Sequence, residues 1–225
     1  MRIGIITALA REAASFRAAQ GMLCHDLDYV VTCAGPGPTR AAAAAADCTA
    51  SGCDALMSWG VAGALVGELA PGALVLASAI HTEDGAELLC DRALNARLAA
   101  SLAMLAPLHA RLASVTEPVL EGTAKRALGA ATGCVAVDLE SAAIARTAAA
   151  VGAAFVAVRC VVDPVAFDLP AAALAGLRAD GSVAPAATLT ALLRQPSDLP
   201  DLLRLATWFR RATSTLARAA RALGA

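Results

Sequence analysis

The feature that most constrains this chain is an alternation of strand-length apolar runs with alanine-rich helical stretches. The runs at 2–7, 29–33, 55–59, 73–79, 135–137 and 154–161 are short, and several are rich in valine and isoleucine. Between and after them lie stretches at 8–20, 38–51, 95–105, 139–151 and 199–223 with helix-forming composition. That order predicts a layered α/β protein, a sheet covered by helices on both faces. A length of 225 residues fits one domain over 1–225, ending in a helical extension from about residue 168. Between Asp168 and Pro200 Gly and Pro punctuation suggests loops around a short helix, either a lid or a plain connection.

Composition excludes several classes of partner. With 58% hydrophobic and 16% charged residues the chain can bury a large core. A net charge of −1 gives no general attraction to a phosphate backbone, so no nucleic acid partner is expected. Seven cysteines form no CxxC pair and no zinc spacing, which suggests a reducing, cytoplasmic compartment. The histidines at 25, 81 and 109 share no ligand spacing, so no metal is expected, and with neither a Walker A loop nor a complete dinucleotide fingerprint no cofactor is expected either. The N-terminal residues read as a strand entering a helix, not as an export signal. Arg146, Arg159 and Asp163 interrupt the apolar stretches before the roughly 20 residues a membrane span needs.

Few polar residues stand where chemistry is expected. Glu12 follows the first strand, near the carboxyl end where open α/β sheets collect ligands; alternatively it is favourable charge at a helix N-terminus. Asp138 and Glu140 stand at a junction of strand and helix. Asp138 reads as a solvated cap, and Glu140 as a carboxylate able to accept two hydrogen bonds from a sugar diol. Asp163 ends an apolar strand, where burial raises a carboxyl pKa and equips it to hold a proton as a general acid. Arg159 supports the site by opposing that shift, or forms a structural ion pair with Asp163. The segment Ser58-Trp59-Gly60-Val61-Ala62-Gly63 offers glycines for close backbone approach to a ligand.

Three of these segments together, MRIGIITALAREA, SWGVAGALVGELAPGALVLAS and VAVDLESAAIARTAAAVGAAFVAVRCVVDPV, resemble the nucleoside phosphorylase superfamily, and within it the methylthioadenosine and S-adenosylhomocysteine nucleosidases. The resemblance implies a three-layer fold with a central mixed sheet flanked by helices. It also implies an enzyme that cleaves the N-glycosidic bond between adenine and ribose. Asp163 is then the group that protonates or hydrogen-bonds the purine, and Glu12 the group that activates water. Glu140 holds the ribose hydroxyls, Leu139 packs on the sugar where the family has a methionine, and Ala62, Gly63 and Val162 lie at the substrate. Val162 replaces a serine usual in the nucleosidases. Phosphorylases of the family carry an arginine and a serine for phosphate in the glycine-rich turn; the corresponding positions here, Ser58 and Val61, favour hydrolysis.

The tail ADGSVAP…LLRQPSDLPDLLRLATWFRRA, with the SWGVAG turn and the Val-Asp-Pro ending, is similar to a hopanoid-associated branch that converts adenosylhopane to ribosylhopane and adenine. Soluble nucleosides, phosphorolysis and nucleoside binding without turnover are the alternatives. In 199–223, Leu202, Leu205, Phe209, Leu216 and Leu223 follow helical spacing, with Arg204, Arg211 and Arg218 beside them. Such a helix either packs on the core or touches anionic lipid at the membrane face. A homo-oligomer is expected from the resemblance.

Overall fold

A computed structural model describes residues 1–19, 27–176, 178–182 and 184–223; Cys24 and His25 lie outside them. The strands are β1 (Arg2–Thr7), β2 (Asp28–Cys33), β3 (Ala55–Ala64), β4 (Leu74–Thr82), β5 (Glu87–Leu89), β6 (Leu108–Ser114), β7 (Ala136–Asp138) and β8 (Ala154–Asp163). The helices are α1 (Ala10–Arg17), α2 (Pro38–Ala50), α3 (Arg92–Ser101), α4 (Gly122–Thr132), α5 (Ser141–Val151), α6 (Ala171–Ala175), α7 (Pro185–Arg194) and α8 (Leu199–Ala222). The alternation in the sequence thus becomes the expected α/β fold with a mixed sheet flanked by helices.

The sheet runs β2-β1-β3-β7-β6-β4-β5, and β8 pairs with both β3 and β4. These pairings close a ring, β3-β7-β6-β4-β8, with β1 and β2 as an open wing beside β3. Within it β3 and β8 run parallel, whereas β3–β7 and β4–β8 are antiparallel. Enclosure explains why β8 is an almost unbroken run of buried residues, with no polar alternation to mark a solvated face.

The 24-residue helix α8 packs through Ala212, Leu216, Ala219 and Ala220 into the cluster that holds Ile3, Ile5, Val156 and Val158. Its C-terminal half therefore belongs to the core. Its N-terminal half is more open, with Leu199 and Leu203 exposed. Among the described residues no helix is long and apolar enough to cross a membrane.

Several elements differ from the sequence reading. β3 continues five residues beyond Trp59 to Ala64, through the segment read as a glycine turn. The elements β5, β6 and α4 lie outside the predicted ones. Where one short helix was expected after Asp168, α6 and α7 stand there, followed by a turn of 3₁₀ helix at Pro196–Asp198.

Candidate active site

The register between β3 and β8 sets the site. Ala62 pairs with Val161, but Gly63 pairs with Asp163, so β8 carries one extra residue, Val162. A bulge of this kind reverses the side-chain alternation beyond it. Arg159 and Asp163, which an unbroken strand would display on one face, instead meet different partners. The Arg159–Asp163 ion pair considered from the sequence is replaced by two separate ones.

Arg159 is 2% exposed, and its Nε donates to Asp138 Oδ2 at 2.6 Å. Its Nη2 donates to Ser58 Oγ at 2.6 Å and Ser141 Oγ at 3.2 Å, and lies 3.9 Å from Glu140 Oε2. Asp138 is thus no solvated cap. It does accept the Ser141 N–H at the start of α5, but buried, as the counter-ion of Arg159 and an acceptor from the Ser141 hydroxyl.

Glu12 is buried at the N-terminus of α1. Its Oε2 accepts the N–H groups of Ala8 at 3.0 Å and Leu9 at 2.8 Å, and its Oε1 that of Val61 at 2.8 Å. It therefore serves the helix terminus and also reaches across to β3. Burial raises its pKa above the ordinary carboxylate value, against the opposing effects of Arg159 and the three N–H donors. Glu140 sits between β7 and α5, with Oε1 accepting the Gly37 N–H at 3.0 Å. Burial pushes its carboxyl up to about 7, and Arg159 restrains the shift.

Asp163 pairs with Lys125, which projects from α4; both side chains are almost fully enclosed. Lys125 Nζ donates to Asp163 Oδ2 and, at 2.6 Å, to the Phe167 carbonyl. Burial raises the Asp163 pKa and Lys125 opposes the rise, the role expected of Arg159. The two residues stand in a cleft of about 100 Å³ whose apolar walls include Gly63, Val119, Val137, Leu139 and Leu169. That space suits a ring rather than a whole nucleoside, since small-molecule sites usually span roughly 300–1,000 Å³. Leu139 also borders a neighbouring hollow of about 320 Å³, lined by Pro38, Ser114, Thr116 and Arg146 among others.

Of the residues singled out in the sequence, Asp163, Leu139, Gly63 and Asp138 line the cleft. Glu12, Glu140 and Arg159 form the buried network behind it. Ala62 and Val162 sit in apolar clusters rather than in the cleft wall, because the bulge turns Val162 toward the core beneath α8. Lys125 and Ser141 were missed as polar members of the site, and Ser58 was weighed only as a position of the glycine-rich segment. Lys125 had a signal: it is the only lysine in the chain, the other 17 of the 18 basic residues being arginines.

Comparison with known proteins places this fold. A futalosine hydrolase of Helicobacter pylori superposes with a TM-score of 0.75 at 16% identity, covering 99% of this chain and 97% of that one. The 5′-methylthioadenosine/S-adenosylhomocysteine nucleosidase of the same organism gives 0.76 at 16% identity, with coverage of 99% and 97%. An S-adenosylhomocysteine nucleosidase from Streptococcus pyogenes, in complex with 5-methylthiotubericidin, gives 0.74 at 18% identity, with coverage of 99% and 95%. No curated protein matches the sequence significantly. The family model described as the phosphorylase superfamily matches residues 6–194, and the chain belongs to that superfamily.

Proposed function

We propose that the protein hydrolyses the N-glycosidic bond between adenine and ribose in an adenosyl compound, and that this compound is adenosylhopane, leaving ribosylhopane. One observation carries the first part: a buried carboxyl, Asp163, at an apolar ring-sized cleft, with Glu12 and Glu140 gathered around a single arginine behind it. Asp163 delivers a proton or hydrogen bond to a purine ring nitrogen, so that the base departs neutral. Glu140 accepts the ribose hydroxyls and, when ionised, stabilises positive charge developing on the ribosyl carbon. Glu12, held by three backbone donors, orients the attacking water and takes its proton.

The glycine-rich segment supports hydrolysis over phosphorolysis. Its Ser58 hydroxyl is already engaged by Arg159 and Ser141, leaving little there to hold phosphate.

Two features support a lipid-linked substrate. A groove of about 580 Å³ lies between the start of α1 and α8, bordered by Leu9, Pro185, Ala206, Phe209 and Arg210. Leu189 and Leu193 on α7, and Leu199 and Leu203 on α8, are 57%, 75%, 46% and 62% exposed. Leucines in such numbers on two successive helices suit a surface that meets lipid. The same reading includes peripheral membrane contact through residues 199–223 and a homo-oligomeric, cytoplasmic enzyme.

A second reading, a methylthioadenosine or S-adenosylhomocysteine nucleosidase, is favoured by the near-complete overlap with the H. pylori and S. pyogenes nucleosidases. Adenine release from adenosylhopane in detergent, beside both soluble nucleosides, with and without phosphate, separates the two. Preference for the lipid, indifferent to phosphate, is the expected result. Preference for a soluble nucleoside would establish the second reading, and dependence on phosphate would contradict hydrolysis.

A further inference from the structure

Lys125 stands out chemically. Of the 18 lysine and arginine side chains, each of the others is a guanidinium, which does not surrender its proton at working pH, whereas an ammonium can. The single side-chain ammonium of the chain is enclosed on α4, with its Nζ directed at Asp163 Oδ2 and the Phe167 carbonyl. A buried pair needs only a fixed cation, and arginine is the residue usually chosen for that. Lysine at this one place supplies a cation that is also an acid.

We propose that Lys125 is the proton source for the leaving base, acting through Asp163. This rests on the reading of the protein as an adenine-releasing hydrolase. Lys125 passes a proton from Nζ to the Asp163 carboxylate, and the neutral carboxyl so formed gives a proton to a purine ring nitrogen. The glycosidic bond breaks with its electron pair going to the base. Water forms the new bond to the ribosyl carbon and gives its proton to Glu12. Exchange with solvent then discharges Glu12 and recharges Lys125, so the cycle returns every group to its starting state. The polar face of Lys125 is thereby a positioning and proton-supplying device, while Asp163 remains the group that touches substrate. Burial of Asp163 helps the transfer, because enclosure disfavours the carboxylate that the ammonium must neutralise.

The test is the pH profile of adenine release for wild type, Lys125→Met and Lys125→Arg, each first checked for a native circular dichroism spectrum and for adenine binding. In Lys125→Met only the Asp163 carboxyl can carry the proton. Its rate should fall about 100-fold or more below wild type at pH 8, as loss of an acid catalyst does, and recover to within a few-fold near pH 5. Lys125→Arg keeps the charge and pins the carboxylate without offering a proton, so it should stay slow across the whole range. A deficit in Lys125→Met that is the same at every pH would make the residue merely structural and overturn the proposal. So would wild-type rates in Lys125→Arg. If the wild-type protein releases adenine from no adenosyl compound, the proposed function itself fails, and the role of Lys125 with it; a pH-independent loss in a working enzyme removes only the role of Lys125.

Discussion

Gly60 on β3 stands in register with Arg159 on β8, and a Cβ at Gly60 would come within 2.6 Å of Glu12 Oε1. The same Cβ would strike the Arg159 guanidinium. The absent side chain is thus the space in which the glutamate and the arginine converge. Here glycine inside a strand marks close approach of two buried charged side chains rather than a turn.

Gly60→Ala should therefore push Glu12 and Arg159 apart. The expected effect is a destabilisation of about 1–3 kcal/mol, typical of overpacking a filled interior. Adenine release should fall further than stability does. Thermal melts and rate measurements on the same preparation check both.

Glu12→Gln replaces one acceptor oxygen with an amide NH₂ that must face either the Val61 N–H or the Ala8 and Leu9 N–H groups. Leaving a buried donor unmatched costs about 1–3 kcal/mol. The variant should melt lower and lose hydrolysis, and added phosphate should not restore it. Rescue by phosphate, assayed by adenine release, would instead indicate a phosphorylase.

Glu140 gives a pH signature of folding. Its carboxyl is raised from 4.5 to about 7 in the folded protein, so the folded chain retains a proton that the unfolded chain gives up in this window. The associated stability is fully present below pH 4.5 and is lost as pH rises through 7. A shift of that size corresponds to about 3 kcal/mol. Denaturant titrations at pH 5 and pH 8 should show the wild type losing stability relative to Glu140→Gln by up to that amount.

Replacing Leu189, Leu193, Leu199 and Leu203 together with serine should weaken sedimentation with anionic phospholipid vesicles by more than about tenfold. Cleavage of any soluble adenosyl nucleoside should be unchanged, since these side chains lie outside the cleft. Equal vesicle binding by both proteins would assign these leucines another role.

Much of the fold was legible because enclosed strands are continuous apolar runs. β1 falls at the residues expected, and α2 and α5 lie within one or two residues of the reading. What escaped has physical causes. β6 is half exposed, and β5 is a three-residue edge strand, so neither carries a long apolar run. α4 holds two glycines that lower its helix propensity; Gly129 is needed where the helix meets the Leu65 carbonyl, 2.7 Å from any added Cβ. With α4 unread, Lys125 had no address, and a lone lysine resembles a surface charge until its partner is known. The opposed partners of Arg159 and Asp163 depend on the bulge at Val162, which leaves no mark in the apolar run Cys160-Val161-Val162.

The most direct test of the account is adenine release by wild type and Asp163→Asn from a panel of adenosyl compounds, with adenine affinity measured in parallel. Release by the wild type, reduced at least about 100-fold in a folded variant that still binds adenine, is the predicted result. Undiminished release by Asp163→Asn would contradict the assignment of the acid and with it the account of the site.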